Sequence, residues 1–110
     1  MPESFERGAL TEAVFYILLS LHEPLHGYAI MQNIEKLTNG RVVLGPGTLY
    51  GAINALVQKG WIAAVSGERD SRKKEYTATE TGRAVFQAEL TRLKELLRDG
   101  NSVQPEKQKL

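Results

Sequence analysis

The sequence predicts a mainly α-helical chain with one small β-hairpin, in the order helix, helix, helix, hairpin, helix. Three observations carry that prediction. Apolar residues recur at helical spacing in four separate stretches. Glycine and proline punctuate the ends of those stretches. One apolar run too short for a helix, Trp61–Val65, is followed by a polar turn and a second short strand-like run.

The first helix spans Ala9 to Leu21, where Leu10, Ala13, Val14, Ile17, Leu18 and Leu21 share one face. Phe15, Tyr16 and Leu19 make its other faces apolar, so it should be covered on more than one side. Glu23-Pro24 ends it, because proline lacks an amide donor and disfavours a helical residue before it. His26-Gly27 opens the second helix, with Ile30, Ile34 and Leu37 on its inner face and Thr38-Asn39-Gly40 as its stop. Arg41–Leu44 is a short extended link. The third helix begins at Gly45-Pro46-Gly47, with proline where its missing amide costs nothing. Leu49, Ile53, Leu56 and Val57 form its buried stripe, and Lys59-Gly60 closes it with the residue that most readily adopts a left-handed backbone.

Trp61–Val65 and Glu75–Ala78 read as two strands around the polar connection Ser66–Lys74. Thr79 is an N-cap for a last helix that runs to about Asp99 and stops at Gly100. Residues 101–110 read as a frayed polar tail. The predicted organisation is a winged-helix unit over residues 1–79, a C-terminal helix over 80–100 and a flexible tail over 101–110.

Composition bounds the function. The chain has 110 residues, room for one compact domain. It has no cysteine, which removes disulfides and thiolate metal sites and fits a reducing compartment. Met1–Arg7 lacks the features of a signal peptide, and the longest apolar stretch, Ala13–Leu19, is too short to span a membrane. A cytoplasmic location is the expectation. The net charge of +1 is too mild to announce nucleic-acid binding by itself, so the placement of the charges must decide.

That placement is informative. Helix, helix, helix, hairpin is the order of a winged helix–turn–helix, in which the third helix enters the DNA major groove and the hairpin lies along the backbone. A reading helix needs an apolar face for docking and a small or hydrogen-bonding face for base edges. Thr48, Tyr50, Gly51 and Asn54 lie off the buried stripe and meet the second need. The helix N-terminus adds free amides suited to phosphate. Arg69, Arg72, Lys73 and Lys74 cluster at the turn of the hairpin, with Asp70 offsetting one of them. Such cations supply affinity without sequence choice. A basic turn alone is usually solvated surface; directly after a helix of this make-up it counts for more.

The residues then resemble a known family. His26-Gly27-Tyr28-Ala29-Ile30 looks like the HGY-hydrophobic motif of PadR-like regulators. Gly47-Thr48-Leu49-Tyr50, continuing through Ile53, Leu56 and Lys59-Gly60-Trp61-Ile62, resembles that family's recognition-helix signature running into the wing. Arg72–Thr79 and Gly82 resemble its wing return. The likeness covers about residues 8–99, and the single terminal helix resembles the short group of the family. It implies a homodimeric repressor on a palindromic operator, with Thr48 and Tyr50 on DNA and Lys73 and Lys74 on phosphates. The DNA-contact set is then Tyr28, Gly47, Thr48, Tyr50, Gly51, Asn54, Arg72, Lys73 and Lys74.

The last helix argues for a dimer on its own terms. Phe86, Leu90, Leu93 and Leu97 recur at spacings of four, three and four, a heptad-like seam that Val85 and Leu96 widen. The alternative is that this stripe packs on its own core. The resemblance also implies that a flat aromatic effector can sit near such a seam, where Phe5, Phe15, Phe86, Leu90 and Leu93 are the candidate contacts.

Other chemistries fare worse. His22 and His26 are four apart, but Pro24 breaks the helix that would align them as metal ligands. His26 reads instead as a helix-start residue bonded to backbone. Gly45-Pro46-Gly47-Thr48 lacks the lysine of a phosphate-binding loop. No nucleophile motif or paired carboxylates are present, so neither an enzyme nor a cofactor is expected. Trp61 begins the wing and reads as core. The rival reading from another class is a winged helix that binds protein, which the mild net charge permits.

Overall fold

In the computed structural model, which describes residues 8–65 and 74–103, the elements are α1 (Glu12–Ser20), β1 (Leu25–His26), α2 (Gly27–Leu37), α3 (Pro46–Lys59), β2 (Ile62–Ala64), β3 (Glu75–Ala78) and α4 (Glu80–Asn101). The expected order holds, with one strand added. The antiparallel sheet has the order β1-β3-β2, in the registers Leu25↔Tyr76 and Ile62↔Ala78. Two residues carry no readable periodicity, so β1 leaves no mark in the sequence; pairing with β3 creates it.

Local chemistry sets most boundaries. Thr11 caps α1, its hydroxyl accepting from the Val14 amide at 3.1 Å. The helix therefore begins later than the expected Ala9, since a side-chain cap satisfies an amide that an alanine start would leave open. α1 also ends before Pro24, at Leu21, whose amide donates to the Ile17 carbonyl at 3.0 Å. At the end of α2, the Thr38 hydroxyl donates to the Ile34 carbonyl at 2.8 Å. Asn39 (φ 57°) and Gly40 (φ 81°) then turn the chain through left-handed conformations. Asparagine and glycine enter that region at least cost. Pro46 stands in the first turn of α3, and Gly60 (φ 80°) caps its end, as expected.

Other expectations need correction. α4 passes through Gly100 to Asn101, closed by the Ser102 amide on the Arg98 carbonyl at 3.1 Å. A glycine costs a helix only about 1 kcal/mol relative to alanine, too little to stop it when the following amides find partners. The His26 side chain makes no capping bond, and its buried Nδ1 has no hydrogen-bond partner among the described residues.

The core joins Ile17, Leu18 and Leu21 of α1 to Ile30 and Ile34 of α2 and to Leu49, Ile53 and Leu56 of α3. Ile62, Tyr76, Ala78 and Phe86 complete it. Leu37 and Val57, expected on the inner stripes, are exposed. Leu37 is the last residue of α2, past its packing partners, and Val57 sits a helical step of about 100° from Leu56. α1 is covered on two sides as anticipated, by α2 and by α4. A hydrogen bond from the Asn33 amide to the Ser20 hydroxyl, 2.9 Å, pins α2 to α1.

The sheet is fastened to the helices by backbone bonds. The Ala78 amide donates to the Leu21 carbonyl at 2.8 Å and the Thr79 amide to the Trp61 carbonyl at 2.9 Å. The Thr79 hydroxyl caps α4 by accepting from the Gly82 amide at 3.1 Å, as predicted, and donates to the Gly60 carbonyl at 2.6 Å. Gly82 is buried directly against the Trp61 carbonyl, in space that any Cβ would need. α4 therefore starts at a fixed place relative to the hairpin. Among the described residues, no helix is long and apolar enough to cross a membrane.

Candidate nucleic-acid interface

α3 is divided along its length. Leu49, Ile53 and Leu56 are buried, whereas Thr48, Gly51, Asn54, Ala55 and Gln58 are exposed. Gly51 and Ala55 keep the outer surface low, so a partner can approach the helix closely. Asn54 and Gln58 carry amides that both donate and accept. The N-cap, Gly45, has no side chain to accept from the first-turn amides near Gly47 and Thr48.

Tyr50 occupies a different position from its neighbours. It is half-buried, and its ring and hydroxyl lie directly against Gly27, the first residue of α2. The Tyr76 hydroxyl titrates above the ordinary tyrosine range, because burial disfavours its anion and nearby Tyr50 adds to the effect. Tyr50 thus joins α3 to α2. The glycine of the His26-Gly27-Tyr28 motif and the tyrosine of the Gly47–Tyr50 motif form one contact. Both motifs are legible in the sequence; that they touch is not. Tyr28 points outward and is 59% exposed.

Of the wing cations, Lys74 is half-buried at the start of β3. Arg69, Arg72 and Lys73 lie outside the described residues, as do Asp70 and Phe5. The hairpin is closed by the Val65 amide on the Glu75 carbonyl at 2.9 Å. Trp61 is half-buried against the core, with the Lys59 ammonium 5.3 Å above its ring.

The α4 residues separate into two groups. Phe86 is buried in the domain's own core, stacked on Phe15 at 4.9 Å with the His22 ring edge-on at 4.9 Å. Val85 and Leu90 are half-buried against the same core. Leu93, Leu96 and Leu97 are exposed, at 39%, 52% and 66%. His22 donates through Nδ1 to the Leu18 carbonyl at 3.0 Å, a local bond that leaves it at the end of α1. A cavity of about 250 Å³ between α1 and α4 is lined by Phe15, Tyr16, Glu89, Arg92 and Leu93, among others. Of the candidate effector contacts it includes Phe15 and Leu93.

Glu89 was not anticipated. It is only 6% exposed, and its carboxylate accepts two bonds from Arg92, from Nε at 2.9 Å and from Nη2 at 2.6 Å. It also accepts from the Leu10 amide at 3.3 Å. The Arg92 bonds, helped by the Leu10 amide, hold this carboxyl below the ordinary carboxylate range despite its burial. One signal could have found it: Glu89 falls three residues after Phe86 and four before Leu93, on the apolar face of α4.

The sequence profile of the transcriptional regulator PadR-like family matches residues 15–88. A PadR-like transcription factor from Bacteroides fragilis superposes with a TM-score of 0.69 at 25% identity, over 93% of this chain and 96% of that one. A PadR family transcriptional regulator from Eggerthella lenta gives 0.66 at 26% identity, over 93% and 86%. An uncharacterized 37.1 kDa protein in a Streptomyces fradiae transposon is 37% identical over 79 residues, 71% of this chain and 22% of that protein. The chain thus spans about a fifth of that relative's length. With its winged-helix fold and the profile match over most of its length, this chain belongs to the PadR-like family of transcriptional regulators.

Proposed function

We propose that the chain is a homodimeric, sequence-specific DNA-binding repressor of the cytoplasm, which reads a palindromic operator with α3 of each protomer in the major groove. The observation that carries this reading is the division of α3 into a buried stripe and a low, polar outer face. A helix so divided docks by one side and reads by the other. Asn54 is the base reader, since its amide matches the donor–acceptor pair of adenine. Thr48, Gly47 and the open first-turn amides take phosphate, as does Tyr28 at the start of α2. Lys74, with Arg72 and Lys73 beside it in sequence, supplies wing cations.

The exposed row Leu93, Leu96 and Leu97 supports a two-fold helix seam, which would place two recognition helices about 34–36 Å apart on successive major grooves. A small aromatic effector in the cavity between α1 and α4, touching Phe15 and Leu93, would release DNA by favouring a dimer of different spacing. The test is a gel shift on the gene's own upstream DNA at two salt concentrations, against unrelated competitor. Binding that survives competitor and falls steeply with salt is expected. Binding indifferent to sequence and salt would overturn the reading in favour of a winged helix that docks protein.

A further inference from the structure

We infer that Glu89 and Arg92 are positioning residues: their fork, tied to the Leu10 amide, is the fulcrum that sets the angle at which the free half of α4 leaves the domain, and through it the half-site spacing a dimer accepts. The spacing clause rests on the dimeric DNA reading above; the fulcrum does not.

Three observations converge. First, Glu89 stands on the apolar face of α4, where a leucine would pack without removing a charge from water. A buried ion pair adds little net stability over such a residue, but it is directional. The Arg92 fork fixes the carboxylate in plane, and the remaining bond runs to Leu10, just before the Thr11 cap of α1. The neighbouring Phe15–Phe86 stack tolerates sliding and rotation; the carboxylate bonds do not.

Second, among the described residues this fork is the last point at which α4 is held. Gly82, Phe86 and Glu89 are buried, Leu90 and Arg92 are half-buried, and residues 93–101 are all exposed. Third, the length beyond it is enough to matter. Nine helical residues reach about 13 Å, so a 10° tilt at the fork moves the helix end by roughly 2 Å. Two protomers together give roughly 4 Å, comparable with the 3.4 Å rise of a base pair.

The test uses the full chain, which has no native cysteine, with spin labels at Lys36→Cys on α2 and Asp99→Cys on α4. Labelled protein is diluted with unlabelled chain so that each distance is measured within one protomer. Glu89→Gln keeps an acceptor for Leu10 and removes the charge; Arg92→Lys keeps the charge and removes the fork. Both variants should broaden the label-to-label distribution about twofold or shift its centre by 2 Å or more. On duplexes carrying two half-sites, both should lower the preference for the best spacing over spacings one base pair longer or shorter by at least about fivefold. Affinity for a single half-site should stay within about twofold of wild type. Folded variants with unchanged distances and unchanged spacing preference would overturn the proposal and reduce the pair to a packing element. If Glu89→Gln does not fold, Arg92→Lys decides alone. A wild type that ignores DNA sequence would sink the DNA reading, and the distance measurement would still decide the fulcrum.

Discussion

Replacing Gly27 with alanine puts a methyl group into the space that the Tyr50 ring and hydroxyl occupy. The backbone at Gly27 is not the source of the conflict: it begins an ordinary helix, and positive φ among the described glycines is confined to Gly40 and Gly60. Alanine there should gain about 0.4–1 kcal/mol from reduced freedom of the unfolded chain. Against that stands overpacking of a buried position, about 1–3 kcal/mol. The obstacle is the end of a side chain, which can move, so the net loss should fall at about 0.5–2 kcal/mol. With Tyr50→Ala the obstacle is gone and only the gain remains, so Gly27→Ala in that background should be neutral or stabilising by up to about 1 kcal/mol. The coupling between the two sites is then about 1–3 kcal/mol, well above the error of such cycles. Urea unfolding of wild type, both single variants and the double variant measures it. Protein concentration must be held fixed, because the apparent stability of the proposed dimer would depend on it. Additivity within about 0.5 kcal/mol would refute the contact as the link between α2 and α3.

Gly82→Ala should cost more than Gly27→Ala, about 3 kcal/mol, because its methyl meets the Trp61 carbonyl and backbone must move; the same unfolding assay ranks the two, and the reverse order would contradict the argument. Asn54→Ala, on the exposed face of α3, should leave stability within about 0.5 kcal/mol and relax base choice at one operator position by about 1–3 kcal/mol. A uniform loss over all sequences, read by competition with single-base operator variants, would assign Asn54 to phosphate instead. The Glu89 carboxyl titrates below its ordinary range when folded. The unfolded chain therefore binds that proton more readily, and the stabilisation is complete above the ordinary range and lost as pH falls through the lower folded value. Glu89→Gln should flatten the acid limb of a stability–pH curve; a limb parallel to wild type would show that other carboxylates set it.

Much of this protein is legible in its sequence. The capping threonine at position 79, the proline opening α3 and the glycine closing it act through their own backbone and nearest amides, so their roles follow from residue type and position alone. The buried stripes of α2 and α3 follow from period, and fail only at Leu37 and Val57, where the helix end or one step of rotation takes the side chain out of contact. The division of α3 into docking and outer faces was readable for the same reason.

What the tertiary structure decided involves contacts across the chain. β1 exists because Leu25 finds Tyr76, far along the chain, in the sheet. Tyr50 lies in α3 among exposed polar residues, yet half-buries itself because Gly27 leaves it a recess on another helix. The heptad-like row of α4 is uniform in the sequence. The fold splits it, because only the first half of the helix has the body beside it; Phe86 sinks into the core, while Leu93, Leu96 and Leu97 remain outside. Glu89 falls on the apolar face of α4 in the sequence, but its partner there, the Leu10 amide just ahead of α1, is brought to it only by the fold. Periodicity and caps are properties of neighbours along the chain, and one sequence holds them all. A recess, a strand pairing or a buried ion pair depends on two distant segments meeting, which packing alone decides.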